Sequence, residues 1–359
     1  MSTKVKDSLH ELIHSLSKSE KRYYKLYASR HMGNEGSTMI ALFDYIARQP
    51  QYDEEALFHH FNGKALLNQF STVKKRLYDQ VLQSLHAFHA NNSMENQVNR
   101  MLHQANLLYG KSLYDQCIRH LRSAEKLAVK YDLFPAQVAI NKLKNRLIET
   151  RGYRNREEDI GQLHNSTEKA LSQEQLIHNL WQVKSRLFQL LQRSGKAHTH
   201  EDHELIDQLI NNIPQEDELA AFRSTESTYL YYHIHAAYHF AKNQRKESLY
   251  YTEQTIQHLS AHPNYTNERP NTLISALTNA CYLAESIGAY DKSQQFLNTL
   301  KSFAERQEII ASEDLQIKLF SSRYSIELNL MLIKGQFDET RELSASVLAG
   351  LEQFGDNIM

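Results

Sequence analysis

Between residues 66 and 88, apolar side chains fall at Leu66, Phe70, Val73, Leu77, Val81, Leu85 and Phe88. These steps of 4, 3, 4, 4, 4 and 3 lay one continuous stripe along a helix. The same 3.6-residue period governs the rest of the chain, and no long period-2 alternation or Asn-Gly or Asp-Gly hairpin signal interrupts it. Earlier, Ser17-Lys-Ser-Glu20 has capping-box spacing and opens a helix carrying Tyr23, Tyr24, Leu26 and Tyr27. The stretch His31–Gly36 predicts a loop, with Ser37 capping a helix whose inner face holds Leu42, Phe43 and Ile46. Asp53 predicts the cap of a short helix containing Leu57, Phe58 and Phe61, which Gly63 ends. Pro50, Pro135, Pro214, Pro263 and Pro270 all fall between amphipathic runs, where a missing amide hydrogen costs little. The expected fold class is all-α, with an N-terminal helical unit over residues 1–92 that reads as a cap covering the first of the repeats that follow.

From residue 93 the pattern becomes long helices joined by short turns. Turn centres fall near Ser112, Gly152, Gly195, Asn243, Gly288 and Gly335, with separations of 40, 43, 48, 45 and 47 residues. That recurrence predicts a helix–turn–helix array of about six pairs over 93–359. Seven residues before the turn the side chain is small at Ala105, Ala236 and Cys281; five after it, at Cys117, Ser248, Ser293 and Thr340. Two after it stands an aromatic at Tyr114, Tyr290 and Phe337. Small residues let two antiparallel helices approach closely, and the aromatic is expected to pack beneath the turn. Gly288 and Gly335 supply the left-handed residue a helix end favours.

In Gly288-Ala-Tyr290 and Gly335-Gln-Phe337, with their small partners, the chain resembles the tetratricopeptide repeat family. The resemblance covers units near 96–131, 226–261, 271–306 and 318–354, and is poor around Gly152 and Gly195; the period also exceeds the family's 34, which implies longer helices or linkers and leaves HEAT-like packing as the alternative. It implies a right-handed superhelical stack of antiparallel helix pairs whose first helices line a concave side. The inward-facing positions it implies are His233, then Ser275, Thr278 and Tyr282, then Ser322, Ser325 and Asn329. Short polar groups with one aromatic suit a peptide backbone or a helix laid in the groove.

Lys plus Arg number 41 against 42 Asp plus Glu, so bulk charge predicts no affinity for nucleic acid or membrane. Cys117 and Cys281 are the only cysteines, which favours a reducing, cytoplasmic setting over a disulfide framework. The first ten residues lack the apolar core of a signal peptide, and no segment approaches a membrane span. His235 and His239 stand at i and i+4, but Ala236 occupies the position where a zinc protease carries its Glu, so helix packing is expected. His198, His200 and His203, with Glu201 and Asp202, read as a solvated loop opening a helix. No phosphate loop, serine elbow or paired-cysteine motif is present, so neither catalysis, cofactor nor metal is expected. The most direct functional expectation is a non-enzymatic scaffold that binds a protein or peptide.

A second reading makes the short helix, the turn at Gly63 and the long helix a helix-turn-helix, with a ligand-sensing repeat domain behind it. That helix is expected to expose Ser71, Lys74, Lys75 and Tyr78 toward a nucleic acid. Residues 1–90 carry 12 Lys/Arg against 9 Asp/Glu, an excess of 3, which is small for displacing counterions from several phosphates. At the other end Leu343, Val347, Leu348, Leu351 and Phe354 line the last helix with no polar capping helix after it. An exposed apolar patch is expected there, whether the end docks back, pairs with a second copy or continues into further chain.

Overall fold

The computed structural model describes residues 7–31, 33–61, 70–90, 93–152, 157–194, 200–214, 224–305 and 313–354. Among these residues the protein is all-α, with seventeen helices and no strand. Two compact units are present, Met1–Leu127 and Ala128–Met359, so the expected boundary at 92/93 falls within the first.

The first unit holds α1 (Ser8–Ser15), α2 (Lys18–His31), α3 (Gly33–Arg48), α4 (Glu54–His60), α5 (Phe70–His89), α6 (Met94–Gly110) and most of α7 (Tyr114–Lys130). The capping box forms at the start of α2: Glu20 N–H donates to Ser17 Oγ at 3.3 Å, and Ser17 N–H to Glu20 Oε2 at 2.7 Å. Asp53 caps α4, accepting from Ala56 N–H at 2.9 Å. The expected loop at His31–Gly36 does not form, because α3 already begins at Gly33 and Ser37 lies inside it. Neither Gly33 nor Gly36 takes a positive φ, and Met39, Leu42, Phe43 and Ile46 fix the helix to the core below. The proposed turn at Gly63 and the stripe position Leu66 lie outside the described residues.

The second unit holds α8 (Phe134–Thr150), α9 (Glu157–Ser194), α10 (His200–Asn211), α11 (Thr225–Ala241), α12 (Arg245–Ala261), α13 (Pro263–Glu268), α14 (Pro270–Ser286), α15 (Tyr290–Ala304), α16 (Glu313–Ile333) and α17 (Phe337–Phe354). Helices pack in chain order, α8 on α9, α9 on α11, α11 on α12, α12 on α14, and so on to α17. One core runs through them, from Phe134 past Leu180, Leu187 and Ile234 to Leu277, Leu300 and Leu319. Pro135, Pro263 and Pro270 sit in the first turns of their helices, where the amide hydrogen is not needed.

The turns carry the signal read from the sequence. Ser112, Asn243, Gly152, Gly288 and Gly335 all have φ between 60° and 76°; Gly195 lies outside the described residues. At four of them the next amide reaches back five residues, as in Leu113 N–H to Leu108 O and Ala289 N–H to Ala284 O, satisfying a helix-end carbonyl. The compact residues meet there: Ser248 Oγ donates to Ala236 O at 2.8 Å, and Cys281 Sγ to Ser293 O at 3.6 Å. All four are buried, as are Ala105 and Cys117. The aromatics behave differently from expectation. Tyr290 and Phe337 are 38% and 68% exposed, so they do not close their turns from below.

At the end of the unit Gly350 lets the Phe320 ring lie against α17, since a Cβ there would sit 1.9 Å from Phe320 Cε2. Leu332, Ile333, Phe337, Leu348 and Leu351 stay exposed on this last pair. No helix among the described residues is long and apolar enough to cross a membrane.

Candidate functional site

The second unit carries a cleft of about 840 Å³ between α9, α11, α12 and α14. Its walls follow from helix periodicity. On α9, Ser185, Phe188, Gln189 and Gln192 recur at three- and four-residue steps and so share one face. Phe240 and His233 come from α11, and Asn279 and Tyr282 from α14. Ala236, Ala237 and Ala276 keep the floor low enough for a cavity to remain. Smaller hollows of about 540 and 330 Å³ flank the same face of α9, and Gln189 lines all three.

Large side chains converge here without being covered. Trp181, Phe188, Leu205, Phe240 and Tyr282 are each between 39% and 49% exposed. Ser185, Gln189, Gln192 and Asn279 are exposed and make no side-chain hydrogen bond among the described residues. An apolar floor edged with solvent-facing amides and a hydroxyl fits a ligand that brings both apolar groups and a hydrogen-bonding backbone.

One wall is built on an aromatic stack. The His233 ring lies parallel to Phe188 at 5.3 Å and to Tyr229 at 5.5 Å. Burial, with the Lys184 charge behind it, pushes the imidazole down to about 3, so the ring is neutral at ordinary pH. Lys184 Nζ itself sits 4.2 Å above the Trp181 ring and 3.5 Å from Tyr229 Oη. Burial lowers that ammonium to about 8. Glu226 ties the wall together, accepting from Trp181 Nε1 at 3.0 Å and from Arg269 at 2.7 Å.

Of the residues expected to face the groove, His233 and Tyr282 line the cleft. The others are engaged elsewhere. Ser275 accepts from Lys318 Nζ at 2.6 Å, Ser325 accepts from Tyr282 Oη at 3.1 Å, and Asn329 donates to Glu285. These three pairs form a ladder between α14 and α16, so the polar positions of neighbouring units satisfy each other. Thr278 donates back to Ile274 O in its own helix, and Ser322 is buried. The α9 face escaped the sequence reading because its unit lacks the small-residue signature; the regular polar spacing of His178, Gln182, Ser185, Gln189 and Gln192 was the signal available.

The nucleic-acid positions on α5 are only partly surface groups. Ser71 and Lys75 are exposed, but Tyr78 packs against the first unit's core. Lys74 is not free to meet a phosphate: its Nζ bonds Asp7 Oδ2 at 2.5 Å and Tyr52 Oη at 2.7 Å. His235 and His239 stack on Tyr251 at 5.0 and 5.2 Å, and His239 bonds Gln244 at 2.6 Å. Those rings are packing elements joining α11 to α12. His198 lies outside the described residues, and nothing is described of the side chains of His200, Glu201 or Asp202; His203 is half-buried.

In comparison with known proteins, no family model, curated protein or solved structure matches this chain.

Proposed function

We propose that the protein is a non-enzymatic scaffold that captures a peptide segment of a partner in the cleft between α9, α11 and α14. The helix pairs of the second unit are read as antiparallel, tetratricopeptide-like pairs stacked in a right-handed superhelix, with this cleft on its inner side. One observation carries the reading: Phe188, Phe240 and Tyr282 stay exposed in a cavity whose rim holds Ser185, Gln189, Gln192 and Asn279, unbonded among the described residues, and Trp181 and Leu205 stay exposed in the hollows beside it. Exposed aromatic surface of this kind, ringed by polar groups, marks interaction sites on folded proteins. Apolar peptide side chains would fill the cavity while the rim amides bond the backbone.

Selection of random peptides of about a dozen residues on the full chain, a length that spans such a helix face, tests the reading. Selected peptides should lose binding at least about tenfold to Gln189→Trp, which fills the point shared by all three hollows from an exposed position. Peptides that bind this variant as well as the native chain, or failure to select any, would remove the proposal.

A further inference from the structure

The charges that line the hollows along the α9 face are all of one sign. Among the described residues lining the three adjoining hollows, Arg186 and Arg193 come from α9 and Arg245 from the start of α12, and no carboxylate joins them. Arg186 and Arg193 are exposed and make no ion pair or hydrogen bond among the described residues. Arg245 donates one N–H to Ser286 O at 3.1 Å, leaving the rest of its guanidinium available. Of the carboxylates nearby, Glu174 stands one turn before His178 at the far end of the face, close to Glu226, and two others are already committed. Asp207 holds Lys242 at 2.5 Å and Tyr238 at 2.9 Å, while Glu226 holds Arg269 and Trp181. Lys184, behind the Trp181 ring, adds to the same positive field.

This arrangement is not what bulk charge would place here, since acids and bases balance over the whole chain. A guanidinium offers a planar fork that matches a carboxylate, and unpaired arginines at the edge of an apolar cleft select the charge of what enters it. From Trp181 to Arg193 the face runs about 18 Å, at 1.5 Å per helical residue. That length accommodates several acidic positions between apolar anchors.

We propose that the occupant of the cleft is an acidic peptide segment, with large apolar side chains seated on Phe188, Phe240 and Tyr282 and carboxylates meeting Arg186, Arg193 and Arg245. This identification rests on the peptide-binding reading above and adds the charge of the partner to it.

Three pools of fluorescent peptides, each about a dozen residues long, separate the two ideas. All pools carry Leu, Ile and Phe at the same positions; the remaining positions are Glu/Asp, Gln/Asn or Lys/Arg. Binding to the full chain is followed by anisotropy. The acidic pool should bind at least about tenfold tighter than the neutral one and weaken as salt rises. The double variant Arg186→Glu with Arg193→Glu should reverse the preference toward the basic pool. Both sites are exposed, and an unchanged circular dichroism melt verifies the fold. Equal binding of neutral and acidic pools, or a charge reversal without effect, would overturn the acidic partner and leave peptide capture standing. Binding by no pool would overturn both.

Discussion

The aromatic stack at the cleft makes stability depend on pH through one ring. His233 is held near 3 in the folded protein, against about 6.5 for a free imidazole. Below about pH 6.5 the unfolded chain therefore binds a proton that the folded ring refuses, and stability falls by up to about 1.4 kcal/mol for each pH unit until the folded value is reached. Between about pH 6.5 and 5 the limit is about 2 kcal/mol. The ring keeps some contact with solvent, which trims the expected contribution to about 1–2 kcal/mol. His233→Phe retains a flat ring between Phe188 and Tyr229 and cannot titrate. Urea unfolding followed by Trp181, the chain's single tryptophan and a neighbour of Lys184 in the same wall, reads this unit. His235, also pushed down by burial and then by His239, to about 4, is present in both proteins and cancels. The native protein should lose about 1–2 kcal/mol more than the variant over that pH interval. Equal losses would refute the argument that burial in this stack holds the imidazole neutral.

Other substitutions probe the framework. Gly288→Ala at φ 76° should cost about 1 kcal/mol although nothing crowds its Cβ, whereas Gly161→Ala inside α9 should stabilise by about 0.5–1 kcal/mol, both read by thermal melts. Tyr24→Phe removes a fully buried hydroxyl with no hydrogen-bond partner among the described residues, so urea titration of the first unit should show a gain of up to about 1 kcal/mol. Lys74→Ala leaves Asp7 without its cation in a half-buried site and should destabilise the same unit by about 1–3 kcal/mol, seen as faster hydrogen exchange in α1 and α5.

The turns were legible because a helix end in the left-handed region favours Gly or Asn, and because close helix approach needs compact side chains on both partners. Ser248 beneath Ala236 and Cys281 against Ser293 meet both demands. Asp132 was missed: it takes φ 54° between α7 and α8 without a glycine, and its carboxylate then caps α11 by accepting from Thr225 N–H at 3.0 Å, across 93 residues. Gly33 and Gly36 misled in the opposite way, since a glycine permits a turn without requiring one. The site was harder to read because a cleft depends on what neighbouring helices leave empty. Tyr282 and Phe188 share a wall although more than ninety positions separate them. The polar ladder from Ser275 to Lys318 shows the same limit, as side chains read as open meet a neighbour instead.

Ser293 gives the sharpest test of the claim that the buried compact residues after the turns, Cys117, Ser248 and Ser293 but not the half-buried Thr340, are the points where neighbouring helices touch. It is fully buried between α14 and α15, its backbone carbonyl accepts from Cys281 Sγ and its hydroxyl donates to Glu285 at 3.0 Å, while Gln295 on the same helix is exposed. Hydrogen exchange of α14 and α15 amides should show Ser293→Leu losing about 2 kcal/mol or more of protection, with Gln295→Leu within about 0.5 kcal/mol of the native protein. Equal protection in the two variants would contradict the account.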